Sequence, residues 1–180
     1  MKKIVSYMMT GILLLSFLLT GCGSPEPQTG KKMSMYYINT AETKVEVHEQ
    51  YLNTKTLDEQ LDETMRYLST TPEKLEYKAP LDMGFRVLDY EVEDGKLLIN
   101  VDKAYSELSP TTEVLVRAAI VRTLTQLPNV KYVGITVEDS QLYDNAGEMV
   151  GWMNADQFIN NDGNEINTYE LVKVKLYFAN

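Results

Sequence analysis

Cys22 has the most definite chemistry in this chain. It is the only cysteine among 180 residues, so it has no internal disulfide partner. It directly follows Leu19-Thr20-Gly21, a run ending in the small residues that precede signal cleavage. A thiol just after such a cut site is the acceptor for a diacylglyceryl group. Upstream, Lys2 and Lys3 form a positive n-region, and residues 8–19 form an apolar stretch. That stretch is short for a membrane span, which needs about 20 residues. Residues 1–21 are therefore expected to be a lipoprotein signal peptide, and Cys22 the lipidated residue. The membrane partner would be held through that lipid, on the extracytoplasmic face of the cell membrane.

The other reactive side chains offer less. His48 is the only histidine, and a zinc site needs three or four ligands. It is read as a strand residue. Asn160-Asn161-Asp162-Gly163-Asn164-Glu165 looks like the start of a calcium loop, but the register fails. Glu165 falls where glycine is required, and Leu171 falls where the bidentate glutamate belongs. Neither a metal nor a cofactor is expected. Glu138, Asp139, Asp144, Glu148 and Asp156 could supply the paired carboxylates of a glycoside hydrolase. A chain this acidic also brings carboxylates together by chance, so no catalytic residue is assigned. Ser106 and Ser109 have no histidine nearby in sequence, and no nucleophile-elbow, phosphate-loop or dinucleotide fingerprint occurs.

Net charge narrows the partners. Loss of Lys2 and Lys3 leaves 15 of the 17 basic residues against 26 acidic ones, a net of −11. Such a surface repels phosphate backbones, so no nucleic-acid partner is expected. It also repels anionic lipid, which leaves the acyl chains to hold the protein down.

The positioning elements follow. Residues 22–34 carry the lipidated Cys and read as a flexible tether rich in Gly, Pro, Ser and Gln. Residues 35–180 have the size of a single domain. Met35-Tyr36-Tyr37-Ile38-Asn39 and Lys44-Val45-Glu46-Val47-His48-Glu49 read as strands. Thr56 with Glu59 forms a capping box ahead of a helix whose stripe is Leu57, Leu61, Met65 and Leu68. Residues 86–92 and 96–102 pair as a hairpin around Asp94-Gly95. Ser109-Pro110 opens a second helix, expected to run to about Leu127. Its nine aliphatic positions, Val114 among them, would cover most of the circumference and make it the central buried helix. Residues 131–137 form the next strand, and 147–158 are ambiguous, with Trp152 the largest apolar residue. Residues 170–178 alternate as a closing strand, expected to fold back onto the sheet or the 147–158 region, or else to be donated to a neighbouring molecule. The pattern predicts an α+β fold: a mixed, largely antiparallel sheet with two helices packed on one face.

The stretch from Glu93-Asp94-Gly95-Lys96 to Val101-Asp102 carries a resemblance. So do Ala118-Ala119-Ile120-Val121-Arg122-Thr123-Leu124-Thr125-Gln126-Leu127-Pro128-Asn129-Val130 and Val133-Gly134-Ile135-Thr136-Val137. Together they resemble the GerMN domain of sporulation and germination lipoproteins, over roughly residues 35–158. Leu127 stands where the family has an aromatic residue, and Asn129 where it has glycine. Asparagine tolerates the left-handed conformation, so the turn is expected to survive. The resemblance implies a membrane-tethered module akin to ring-building motifs, acting through protein contacts with envelope proteins or with itself. The expected function is a non-enzymatic interaction or assembly lipoprotein in sporulation or spore germination. The alternative is an envelope lipoprotein that binds or hydrolyses wall glycans.

Overall fold

The structure is a computed structural model that describes residues 30–71, 76–144 and 146–158. Cys22, the polar run 160–165 and the expected closing strand 170–178 lie outside the described residues.

Strand β1 (Lys31–Asn39) begins four residues earlier than expected, so residues 31–34 belong to the folded domain and not to the tether. Met33 is the reason. It is 2% exposed and lies within hydrogen-bond range of Thr64 Oγ1, which anchors the start of the strand in the core. Strand β2 (Val45–Leu52) pairs antiparallel with β1, and the short β3 (Tyr77–Lys78) pairs with the end of β1. Helix α1 (Leu57–Leu68) starts on the expected capping box. Thr56 accepts from the Glu59 amide, and Glu59 reaches back to the Thr56 amide. Leu61, Met65 and Leu68 are buried.

Strands β4 (Val87–Glu93) and β5 (Lys96–Val101) form the hairpin. Asp94 and Gly95 both have positive φ, 49° and 80°, as a two-residue turn of the primed type requires. Helix α2 (Pro110–Leu124) is capped by the Ser109 hydroxyl and begins with proline at its first position. It ends three residues short of Leu127. Asn129 then takes φ 65°, the left-handed conformation expected of the residue in the glycine place. The chain returns as β6 (Tyr132–Val137), parallel to β5, and turns into the short β7 (Ser140–Gln141). The ambiguous segment resolves into two isolated bridges, Tyr143 with Met149 and Val133 with Met153, followed by a 3₁₀ turn at Ala155–Gln157.

The α+β class holds, with one difference from the single sheet expected. The strands form two sheets, ordered β2-β1-β3 and β4-β5-β6-β7. The inner face of the second carries Leu97, Ile99, Val101, Val133 and Ile135, all buried in one core with β1 and both helices. Tyr90 Oη on that face donates to Asp62 of α1 at 2.7 Å. The carboxylate holds the tyrosyl proton and pushes its pKa up to about 12. Helix α2 is central, but its apolar cover is incomplete: Val114 is 44% exposed, while Val116, Ala119, Ile120, Val121 and Leu124 are fully enclosed.

Thr123 and Gln126 at the end of α2 explain why there are two sheets. Past its short pairing with β3, the edge of β1 turned away from β2 meets the end of α2 instead of another strand. Gln126 Oε1 accepts from the Ser34 amide at 3.0 Å, and its Nε2 donates to the Ser34 carbonyl at 2.7 Å. Thr123 Oγ1 accepts from the Tyr36 amide at 3.0 Å. Side-chain groups thus satisfy backbone groups that a neighbouring strand would otherwise bind. Gln126→Ala leaves part-buried donors and acceptors unpaired. It is expected to cost about 1–3 kcal/mol in urea denaturation. Gln126→Glu, which keeps the acceptor and loses the donor, should fall between wild type and alanine.

Candidate interaction surface

The two faces of the β4–β7 sheet differ because side chains alternate along each strand. The pairings Asp89 with Asn100, Glu91 with Leu98 and Glu93 with Lys96 set one outer row. Lys96 with Tyr132, Leu98 with Gly134 and Asn100 with Thr136 continue it onto β6. This face points away from the core.

Trp152 is fixed on it by backbone. Val133 and Met153 exchange both amide–carbonyl bonds at 2.8 Å, which puts Trp152 opposite Gly134 on the outer face. The indole lies directly on the glycine. A Cβ at Gly134 would sit 2.8 Å from indole Cζ3 and 3.0 Å from Cε3, with Leu98 Cδ1 at 3.2 Å. Glycine is required here for close approach, since its φ is an ordinary one. Lys96 Nζ lies 5.4 Å from the ring centroid, within range of a cation–π contact. Trp152 remains 42% exposed and Tyr132 41%. Together with Glu91, Glu93, Lys96 and Leu98, Trp152 lines a shallow cleft of about 190 Å³.

Asn100 braces the far end of the same face. Its Nδ2 donates to Asp89 at 3.1 Å and to Asp139 at 2.7 Å, and its Oδ1 accepts from the Asp139 amide and from Thr136 Oγ1. One buried amide therefore ties β4, β5, β6 and the β6–β7 turn together, with every hydrogen-bonding group in use. Beneath the sheet, α2 carries a buried pair. Arg117 lies 2.6 Å (Nε) and 2.9 Å (Nη2) from the Glu113 carboxylate, with side chains 13% and 10% exposed. Tyr105 donates its hydroxyl to Glu113 Oε1 at 3.0 Å, and burial raises the tyrosine pKa well above its ordinary value.

The acids singled out in the sequence occupy separate turns. Glu138 and Asp139 form the β6–β7 turn, both left-handed with φ 48° and 62°. Asp144 accepts from the amides of Ala146 and Glu148 and closes its own loop. Asp156 sits in the 3₁₀ turn at Ala155–Gln157. Asp144 thus serves its own loop, while the Asp139 carboxylate serves the Asn100 network. His48 is half-buried on β2 opposite Met35. Trp152 stood out in the sequence only by its size. A glycine in the middle of a strand, Gly134, was the signal that a side chain lies against the sheet there.

A family model described as sporulation and spore germination, Germane, matches residues 34–143. The fold is similar to the first GerMN domain of the sporulation protein GerM from Bacillus subtilis, with a TM-score of 0.54 and 14% identity over 71% of this chain and 99% of that one. It is also similar to the tandem GerMN domains of the same protein, with a TM-score of 0.50 and 18% identity over 75% of this chain and 49% of that one. No curated protein matches the sequence. At these identities the structures speak for the fold alone, while the family model spans more than half of the chain. The chain belongs to the Germane family of sporulation and spore germination domains.

Proposed function

We propose that this chain is a lipid-anchored, extracytoplasmic protein-interaction module of sporulation or spore germination that performs no catalysis. The observation that carries this reading is the outer sheet face, where Trp152 is held half-exposed on Gly134 beside Tyr132 and Leu98. An aromatic residue fixed on a rigid sheet and only partly covered is the kind of anchor on which binding energy concentrates. The backbone bridge that positions it leaves little conformational entropy to lose on binding. Family membership supports the biological setting. The signal pattern ending in Leu19-Thr20-Gly21-Cys22 supports the membrane tether. Asp139 is engaged by Asn100 and Asp144 by the amides of its own loop, structural roles that favour this reading over glycan hydrolysis, which needs two carboxylates across one bond.

The test has two arms. Cys22→Ser should move the protein from the membrane fraction to the soluble fraction, or leave it unprocessed at precursor mass. If the serine variant stays membrane-bound at normal mature mass, the tether is wrong. The domain freed of its anchor should release no muropeptides from peptidoglycan. Release that disappears with Glu138→Gln or Asp156→Asn would instead establish the glycan-hydrolase reading.

A further inference from the structure

Strand β4 is the end strand of its sheet among the described residues. Its outer face presents Asp89, Glu91 and Glu93, all exposed. Asp89 is bound by Asn100, whereas Glu91 and Glu93 form no ion pair among the described residues. On its inner face Val87, Tyr90 and Val92 pack on the core but stay only partly buried. A strand that completed this edge would need cations at alternate positions and apolar residues between them.

The sequence contains such a run outside the described residues: Glu170-Leu171-Val172-Lys173-Val174-Lys175-Leu176-Tyr177-Phe178. On an extended strand, alternation would put Lys173 and Lys175 on one face and Val172, Val174, Leu176 and Phe178 on the other. We propose that residues 171–178 add to the free edge of β4 as a further strand, with Lys173 and Lys175 on the side of Glu91 and Glu93 and the apolar set beside Tyr90 and Val92.

Competing positions fit less well. At the β2 edge, Glu46 and Glu49 already pair with Lys44 and Lys32. The flank of β6 is taken by β7 and Met153. Reach is sufficient. The 12 residues from Phe158 to Glu170 extend to about 40 Å, and four strands at about 4.8 Å spacing make a sheet roughly 15–20 Å wide. The addition would also remove an exposed edge open to pairing with other chains. It shares Glu91 and Glu93 with the wall of the Trp152 cleft, but its test reads the β4 edge and not partner capture, so either reading can fail without the other.

Cysteine cross-linking in the whole mature chain tests it. In a Cys22→Ser background, Glu91→Cys is combined with Lys173→Cys or with Lys175→Cys and oxidised at low protein concentration. At least one pair should form a disulfide within the monomer. Deleting residues 169–180 should speed amide exchange along β4 at least tenfold. Glu91→Lys with Glu93→Lys should do the same, and adding Lys173→Glu with Lys175→Glu should restore protection. The proposal is overturned if no pair links within a monomer, or if links form only between molecules, which would make a second copy the occupant. It is equally overturned if the deletion leaves β4 exchange unchanged.

Discussion

Ile120→Ala is expected to destabilise the domain by about 2–5 kcal/mol, and Leu124→Ala by a similar amount. Both side chains are 0% exposed and lie one turn apart on α2. They sit in the core shared by β1, α1 and the inner face of the β4–β7 sheet. Truncation removes the transfer free energy of the lost methyl and methylene groups. It also leaves a cavity that the two sheets cannot close, because each is fixed to α2 by other contacts. Against a typical domain stability of about 5–15 kcal/mol, either change is a large fraction of the total. Urea denaturation followed by circular dichroism measures it. A loss below about 1 kcal/mol at both sites would show that α2 is peripheral.

A second large effect is expected at Arg117. Arg117→Ala leaves the Glu113 carboxylate buried, with the Tyr105 hydroxyl as its remaining donor. Breaking a buried pair by removing one member typically costs about 3–5 kcal/mol, because an uncompensated charge stays behind. The position of Glu113 in the first turn of α2 lessens the cost, since the helix dipole favours an anion there. Arg117→Met together with Glu113→Leu and Tyr105→Phe should recover most of the loss, because apolar replacements remove the stranded carboxylate and the hydroxyl that bonds to it. Tyr105→Phe removes one donor and keeps the ion pair, so its cost should be about 1–3 kcal/mol. If the triple variant is no more stable than Arg117→Ala, the pair is not what makes the site sensitive.

Local signals in the sequence carried over into the structure. The Thr56–Glu59 box, the Ser109-Pro110 start, the Asp94-Gly95 turn and the left-handed Asn129 depend on residues within four positions of each other. Hydrogen bonds at that range are set by residue type. The division into two sheets depends instead on Gln126 and Thr123 meeting Ser34 and Tyr36, some 90 positions earlier in the chain. No periodicity reports such a meeting, and a polar pair at a helix end reads equally well as solvated. The start of β1 is hidden in the sequence for a related reason. Lys31 and Lys32 resemble the tether in composition, and only the burial of Met33 shows that the strand has begun. Trp152 depends on a single non-local bridge, Val133 with Met153. Its own segment has no helical or alternating pattern, so its place on the outer face could not be read from its neighbours.

The central claim is that the domain acts by binding a protein through the Trp152 face. The most direct measurement is affinity capture of the lipid-anchored protein from envelope fractions of sporulating cells, comparing wild type with Trp152→Ala. Circular dichroism would first establish that the variant is folded. The account predicts a protein that co-purifies with the wild type and falls at least tenfold with Trp152→Ala, while membrane association stays unchanged. Equal recovery of the same proteins with wild type and Trp152→Ala would contradict it.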